Sequence, residues 1–367
     1  MISLRAVQED ETSILAIRVA LVLPPDSLMA ESAAQVSLIS PALGLRRLQR
    51  QPLQYYTKLT TFLKASARLA NMVFLGSAAI TAGIQLTGYV AASALKTEKF
   101  YDVLGGLNFL ALTYYATLWN EDWIADTRRV AVSVTFSCSR AWLLCFLAWR
   151  AHERGGDARF DPVLRAKTGV NYLRFLVFWA AQGIWVYSIS SPMLFINSST
   201  VSSPLSLTDL VLLAGFAFGV AIEVVADIQK ALWVKAGRSG GFCTVGVWSL
   251  SRHPNYFGEI CQWVCVWLLA YSSASGLLDA AWWATALSPF FTLKILLDTP
   301  ATGVAQANGK GLKRYYESPH AEAYKKYRAS TSILLPFVGY SHVPLGLKRT
   351  IFLDLERYEY RPGKGQE

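Results

Sequence analysis

The chain has 367 residues, of which 53% are hydrophobic and 16% are charged. This composition, together with several uncharged stretches near the roughly 20 residues that a bilayer requires, excludes an ordinary soluble domain and indicates a polytopic membrane protein. The net charge of +10 comes from Lys and Arg residues spread over short loops and both termini, which is typical of membrane-protein loops and does not indicate nucleic-acid binding. The five cysteines contain no Cys-x-x-Cys pair, so we predict neither a disulfide framework nor a metal site.

The predicted elements begin after an N-terminal extension, residues 1–68, to which we assign no structure because its apolar run is too short to span a bilayer. Residues 69–340 form the predicted membrane domain, and residues 341–367 form a C-terminal tail. The fold class is therefore all-α, a transmembrane bundle of about seven helices. The predicted spans are residues 69–95, 103–120, 130–149, 175–208, 210–233, 260–278 and 280–297.

The loops predict the orientation of the bundle. Residues 149–174 and 235–259 are basic and are expected on the cytoplasmic side, whereas the uncharged residues 197–204 are expected on the opposite side. Asn197 begins an Asn-x-Ser glycosylation pattern, which predicts a glycan in a secretory membrane. We expect the endoplasmic reticulum or another endomembrane. In this scheme the basic residues 46–68 fall on the non-cytoplasmic side, which an eighth span or an organellar membrane would also explain.

A polar cluster precedes the sixth predicted span. Pro254 is favoured in the first turn of a helix and predicts that the helix begins at His253 or Pro254. Arg252 and His253 would then lie at the positive end of the helix dipole and, with the free backbone amides, form a site for an anion such as a phosphate. Further along the helix, Asn255 and Glu259 share one face beside Tyr256, and the three could hydrogen-bond a ribose or an amide.

A second cluster, Glu223, Asp227 and Lys230, shares one face of the preceding span. Carboxylates inside a membrane are costly unless they are buried with partners, so they indicate a functional site. The alternative is that Lys230 only neutralises Asp227 inside the bundle.

A third cluster lies near the end of the chain and predicts an aromatic and basic helix on the lipid headgroups. The alternative is that this helix covers a polyanionic cofactor. Its residues are Tyr324, Lys325, Lys326, Tyr327 and Arg328.

The run Gly-Val-Trp-Ser-Leu-Ser-Arg-His-Pro-Asn-Tyr-Phe-Gly-Glu, residues 246–259, resembles the signature of the steroid 5-alpha-reductase-like membrane proteins. Further matches lie before and after this run, in the same order as in those proteins, so the resemblance covers roughly residues 70–340. These matches are residues 96–102, 150–161, 174–182, 323–328 and 335–336.

The resemblance implies a helical membrane reductase that binds NADPH between its C-terminal helices and their cytoplasmic loops. Its expected reaction is hydride transfer to a conjugated carbon–carbon double bond of a sterol, isoprenoid or other lipid. Asn255 and Glu259 match the Asn and Glu that contact the nicotinamide nucleotide in such reductases, and Asp227 matches an Asp on the preceding helix. Lys235 and Arg238 lie where the adenosine phosphates need cations.

The remaining site residues follow from the same resemblance. Tyr324 and Tyr327 match the tail residues that close over the cofactor. For the Glu and Tyr that polarise the enone carbonyl in steroid reductases, the candidates are Glu98, Tyr101 and Asp102. Because NADPH carries a 2'-phosphate, we also expect Arg252→Ala to weaken NADPH binding more than NADH binding.

Two other functions fit part of the pattern. Arg-His-Pro-x-Tyr-x-Gly also resembles isoprenylcysteine carboxyl methyltransferases, which bind S-adenosylmethionine. Those enzymes carry paired glutamates after the last span, where this chain has Leu297-Asp298-Thr299, and this difference favours the reductase. The second alternative is a non-catalytic lipid-binding membrane protein that has kept the fold.

Overall fold

The computed structural model describes residues 50–119, 123–154, 157–165, 167, 169–199, 204–239, 241–299 and 303–360. Side chains are described from Asn71 onward, apart from those of Trp123, Arg154, Ala158 and Lys310. The chain divides into two units, Met1–Leu63 and Lys64–Glu367, and the following account concerns the second. Most of the N-terminal extension, residues 1–49, lies outside the described part of the chain.

Within the described residues, all regular structure is helical, as predicted. The six long helices are α1 (Arg50–Leu95), α2 (Tyr101–Leu118), α3 (Thr127–Arg154), α4 (Tyr172–Ser198), α5 (Leu207–Lys235) and α6 (Pro254–Ala270). Helices α7 (Ala280–Thr285), α8 (Leu287–Leu293) and, near the end of the chain, α9 (Ala321–Ser330) are shorter. Further short helical segments lie between these helices and after α9, at Trp123–Ala125, Ala158–Phe160, Asp161–Leu164, Gly246–Ser249, Tyr271–Ser273, Lys294–Asp298, Gly303–Ala307, Gly309–Leu312, Lys313–Tyr316, Tyr340–His342, Leu345–Thr350 and Glu356–Tyr358.

Four helical stretches among the described residues are long and apolar enough to cross a membrane: Asn71–Leu95, Thr127–Glu153, Leu207–Lys235 and Ala280–Ala307. The predicted count of seven is therefore not confirmed. Helices α2, α4 and α6 occupy the three other predicted positions, but α2 and α6 have only 18 and 17 residues, and α4 contains several buried polar side chains.

The predicted span 175–208 is wrong at its C-terminal end. Helix α4 ends at Ser198, and α5 begins at Leu207. Ser206 and Asp209 form a capping box: the Ser206 hydroxyl accepts from the Asp209 amide at 3.1 Å, and the Asp209 carboxylate accepts from the Ser206 amide at 2.8 Å. This cap satisfies backbone amides that would otherwise lack partners and fixes the start of α5.

The predicted glycosylation of Asn197 is also wrong. The Asn197 side chain is 1% exposed. Its Nδ2 donates to the Ser133 hydroxyl at 3.2 Å and to the Met193 carbonyl at 3.0 Å. Because this amide is buried between α3 and α4, it is not available to a glycosylating enzyme.

Helices α5 and α6 approach each other closely at a pair of glycines. A Cβ on Gly219 would lie 2.6 Å from the Gly258 carbonyl oxygen, and a Cβ on Gly258 would lie 2.5 Å from the Gly219 carbonyl oxygen. Small residues allow such close packing of backbones between membrane helices. One turn beyond each glycine, the side chains of Glu223 and Gln262 meet, and Gln262 Nε2 donates to Glu223 Oε2 at 2.6 Å.

Candidate functional site

A cavity of about 430 Å³ lies at the end of the bundle where α3 and α5 finish and α6 begins. Its walls come from the last turns of α3 and α5, the loop before α6, the first turn of α6, residues 307–315 and helix α9. The two basic loops predicted to share one side of the membrane therefore meet at this cavity. A cavity of this size is typical of small-molecule and cofactor sites.

Eight of the ten predicted cofactor-binding residues line this cavity. They are Asp227, Lys235, Arg252, His253, Asn255, Tyr256, Tyr324 and Tyr327. Of the other two, Glu259 lies one helical turn beyond Asn255 on α6. Arg238 lines an adjoining cavity of about 270 Å³, which shares Lys230 and Arg314 with the main cavity.

The lining also contains charged residues that sequence reasoning did not assign to a site: Arg150 and Glu153 from the end of α3, and Arg314. The described lining thus holds more basic side chains than carboxylates, a balance that suits an anionic ligand. The basic side chains are Arg150, Lys230, Lys235, Arg252 and Arg314, and the carboxylates are Glu153 and Asp227.

Lys230 does not neutralise Asp227 in this structure. Its ammonium lies 4.6 Å and 4.5 Å from the ring centroids of Trp233 and Trp248, in cation–π contacts. Among the described side chains, no ion pair joins Lys230 to Asp227. Asp227 Oδ1 instead accepts from Asn255 Nδ2 at 3.5 Å, so two of the three residues that the resemblance places at the nicotinamide nucleotide lie side by side.

Arg252 occupies a more constrained position than the sequence predicted. Its guanidinium is buried and forms an ion pair with Asp354 through Nη2, while its Nε donates to the Thr331 carbonyl at 3.2 Å. Asp354 also accepts from the Tyr340 hydroxyl at 2.9 Å and lies 4.0 Å from the Arg328 guanidinium. We call these four side chains, Arg252, Arg328, Tyr340 and Asp354, the Asp354 cluster. Arg252 is thus held by the C-terminal tail and is not a freely mobile cation for a phosphate.

His253 is also buried, against the segment that directly follows α9. Its Nδ1 lies 3.0 Å from the Ile333 carbonyl oxygen, and its ring stacks on Tyr256 with 5.2 Å between centroids. Burial, together with the positive charge of the neighbouring Arg252, lowers the pKa of His253 to about 3. The imidazole is therefore neutral at physiological pH and adds no positive charge to the predicted anion site.

The His253 environment predicts acid sensitivity. Between a pKa of about 6.5 in the unfolded chain and about 3 in the folded chain, the unfolded state binds a proton that the folded state does not. The free energy of unfolding should therefore fall as the pH is lowered through this window. Thermal unfolding of purified protein from pH 7.5 to pH 5 measures the effect, and His253→Gln should flatten the profile. The exposed His342 supplies the control: if His342→Gln flattens the profile equally, His253 is not the source.

A cluster of aromatic side chains covers one side of the cavity. The Phe242 ring lies 5.0 Å from that of Tyr324, and Tyr315 stacks on Tyr324 at 4.6 Å between centroids. The Tyr327 hydroxyl donates to the Trp248 carbonyl at 2.5 Å. The tyrosine face of α9 thus packs over the cavity, while the exposed Lys325 pairs with Glu322 on the outer face.

The three predicted catalytic residues lie together but are not part of the cavity lining. Glu98 accepts from Arg165 at 2.7 Å and from the Asp157 amide at 3.3 Å. Burial acts to raise the pKa of the Glu98 carboxyl, but these hydrogen bonds hold that pKa below its ordinary value.

The two other predicted catalytic residues, Tyr101 and Asp102, also have partners within the fold. The Tyr101 hydroxyl donates to the Phe178 carbonyl at 2.9 Å, and Arg159 lies 3.3 Å from Asp102. Together with those of Glu98, these contacts tie the loop between α1 and α2 and the start of α2 to residues 157–165 and to α4. The geometry therefore gives Glu98, Tyr101 and Asp102 structural partners, and their catalytic role stays a prediction.

Comparison with known proteins finds no significant match to a functionally curated protein and none to a solved structure. One protein family matches, and its match begins in α1, contains α2 to α8 and ends just after α9. It therefore includes the signature from Gly246 to Glu259 but not Asp354. Because this match to residues 88–331 covers more than half of the chain, the chain belongs to the family described as protein of unknown function (DUF1295).

Proposed function

We propose that this protein is a membrane-embedded reductase that uses NADPH to reduce a conjugated carbon–carbon double bond in a sterol, an isoprenoid or another lipid. The observation that carries the proposal is the cavity, which combines aromatic walls with an excess of basic side chains at the end of an apolar helical bundle. Aromatic rings suit stacking of planar groups, and guanidinium and ammonium groups suit phosphates. The steroid 5-alpha-reductase-like signature adds the correspondence of individual residues.

Two buried polar atoms support the choice of a nucleotide with an amide group. Asn255 Oδ1 and Arg252 Nη1 have no hydrogen-bond partner among the described residues, and both side chains line the cavity. One is an acceptor and the other a donor, and a carboxamide can use both. In the proposed enzyme, Asn255 and Asp227 hold the nicotinamide, while Arg150, Lys235 and Arg314 hold the phosphates. NADPH supplies the hydride, and the protein supplies orientation and a dry environment.

The binding test uses detergent-purified protein with NADPH, NADH or S-adenosylmethionine. A ligand at a hundred times its dissociation constant stabilises the folded state by about 2.7 kcal/mol, which a thermal unfolding curve resolves. Stabilisation by NADPH supports the reductase. Stabilisation by S-adenosylmethionine alone would instead assign the cavity to a methyltransferase. If none of the three ligands stabilises the protein, the remaining alternative is a non-catalytic lipid-binding protein.

We place the enzyme in the endoplasmic reticulum or another endomembrane, with the cavity on the cytoplasmic side.

Asn255→Ala is expected to weaken NADPH binding by about 1 to 3 kcal/mol, because it removes a hydrogen-bonding group and leaves the Asp227 carboxylate without its amide partner. Titration of the nucleotide against the parent and the variant measures the change. Asn71→Ala, at an exposed position on α1, is the control and should bind as the parent does. Parental affinity in Asn255→Ala would place the nucleotide elsewhere.

Selectivity for NADPH over NADH is expected to depend on the adjoining cavity. Its described lining includes Lys230, Arg238 and Arg314 and no carboxylate, which suits the additional negative charge of a 2'-phosphate. Arg238→Gln should weaken NADPH binding about tenfold and leave NADH binding nearly unchanged. The control is Lys325→Gln on the outer face of α9. Equal losses for both nucleotides in Arg238→Gln would mean that this residue holds the shared diphosphate. Because Arg252 is paired with Asp354, it is a poorer test of this selectivity than Arg238.

A further inference from the structure

Large apolar side chains are exposed in residues 337–351, which follow α9 and lie beyond the end of the family match at residue 331. This segment contains the short helix Leu345–Thr350. A contiguous apolar patch on a protein surface marks a site of interaction with another protein or with a membrane. The exposed apolar side chains are Phe337, Val338, Leu345, Leu347 and Ile351, of which Val338 is 80% exposed.

The exposed apolar face rests on a packed aromatic side chain. The Phe352 ring is 8% exposed and lies 5.2 Å from the Phe337 ring between centroids, at the same distance as from Tyr340. The amides of Ile351 and Phe352 both donate to the Leu347 carbonyl, at 2.9 Å and 3.2 Å. The fold therefore holds these apolar side chains outward on an ordered support.

The segment lies at the depth of the membrane surface. The Phe337 amide donates to the Leu250 carbonyl at 3.2 Å, which joins the start of the segment to the loop before α6. That loop is joined to α5, because the Val247 amide donates to Gln229 Oε1 at 3.0 Å.

The length of α5 fixes this depth. The helix has 29 residues, so it is about 44 Å long, whereas the hydrocarbon core of a bilayer is about 30 Å thick. A centred helix of this length extends about 7 Å beyond the hydrocarbon at each end. Gln229 lies six residues before the end of α5 at Lys235, a distance of about 9 Å. It is therefore at the boundary between acyl chains and headgroups, and the loop and residues 337–351 are beside it.

Basic side chains lie next to the apolar face. Lys348 and Arg349 belong to the helix Leu345–Thr350, which contains no carboxylate. A cavity of about 250 Å³ lies beside them, and the carboxylates in its described lining are those of Asp354 and Glu359. Both carboxylates already pair with arginines. In the part of the chain that the structure describes, no carboxylate pairs with Lys348, so its charge is available to an anionic ligand.

We propose that residues 337–351 lie in the interface of the membrane that the protein spans and bind acidic phospholipids. The apolar side chains enter the boundary between headgroups and acyl chains, and Lys348 pairs with the headgroup phosphate. A bilayer fits this face because the segment is already held at headgroup depth by helices that cross the membrane.

The proposal moves an interfacial role that the sequence predicted for α9. The tyrosine face of α9 packs over the cavity, whereas residues 337–351 present the apolar side chains that such a role requires. This assignment does not depend on the proposed reductase function.

Photocrosslinking tests where the segment lies. The full-length protein is placed in nanodiscs of phosphatidylcholine and phosphatidylglycerol in equal amounts and with the same acyl chains. The photoreactive amino acid p-benzoylphenylalanine in place of Val338 should crosslink phospholipid. In place of Lys326, on the exposed face of α9, it is the control and should crosslink little. Equal yields at the two positions, or lipid adducts from position 326 alone, overturn the inference. Absence of lipid adducts from position 338 also overturns it and leaves this face to a protein partner.

The masses of the lipid adducts from position 338 then test the role of Lys348. Phosphatidylglycerol should be favoured, and Lys348→Gln should lower the ratio of phosphatidylglycerol to phosphatidylcholine adducts about fivefold, the effect of one basic residue near an acidic surface. Lys348→Arg keeps the charge and should retain the preference. Lys326→Gln removes the same charge from α9 and should leave the ratio unchanged. A ratio that Lys348→Gln does not change, or that Lys326→Gln lowers equally, overturns the inference.

Discussion

Arg252→Ala is expected to destabilise the protein by about 3 to 5 kcal/mol, which is typical of removing one partner from a buried ion pair. The variant leaves the Asp354 carboxylate, 9% exposed, without its closest cation. It also removes the hydrogen bond from Arg252 Nε to the Thr331 carbonyl. The unfolding temperature in detergent should therefore fall by many degrees even without ligand, and any loss of nucleotide affinity must be read against this loss of stability.

The control for this prediction removes both charges. Arg252→Met/Asp354→Leu removes both members of the closest ion pair and leaves Arg328, whose guanidinium also donates to the Tyr358 carbonyl, as the remaining charge of the cluster. Apolar pairs often replace buried ion pairs without loss of stability. This double variant should be clearly more stable than Arg252→Ala. If the two are equally unstable, the loss arises from packing around Arg252 and not from the charge left on Asp354.

The second large effect is expected at the contact between α5 and α6. In Gly258→Ala, the new methyl group would lie 2.5 Å from the Gly219 carbonyl oxygen and 2.8 Å from the Glu223 amide nitrogen, so the backbones must separate. Overpacking of this kind costs about 1 to 3 kcal/mol. It should also displace Gln262 from Glu223, because each lies one turn beyond its glycine.

Gly83→Ala is the matched control, since a Cβ there would meet nothing within 4 Å. Alanine is the better helix former, so this variant should be as stable as the parent or slightly more stable. Thermal unfolding of the two variants under the same conditions makes the comparison. A Gly258→Ala protein as stable as Gly83→Ala would mean that α5 and α6 are not packed this closely.

The sequence by itself determined the all-helical fold and most of the residues that meet at the cavity. Helix α6 begins at Pro254, as predicted, because a proline ring fixes the backbone angle of a first turn and lacks an amide that would need a partner there. Residues three and four apart on a helix share a face. For that reason the spacing of Asn255 and Glu259, and that of Glu223 and Asp227, predicted one polar face on each of the two helices, and the structure brings Asn255 and Asp227 together.

Only the tertiary structure decided which partner each of these residues has. Asp354 lies 102 residues from Arg252 along the chain, and nothing in the local pattern of the tail indicates that its carboxylate pairs with the signature arginine. The tertiary structure likewise decided three other features that the local sequence does not predict. They are the burial of Asn197, the hydrogen bond from Arg165 to Glu98 and the position of Arg238 in an adjoining cavity. Local backbone preferences and helical periodicity depend on neighbours in sequence, whereas ion pairs and hydrogen bonds between distant segments depend on how the helices pack.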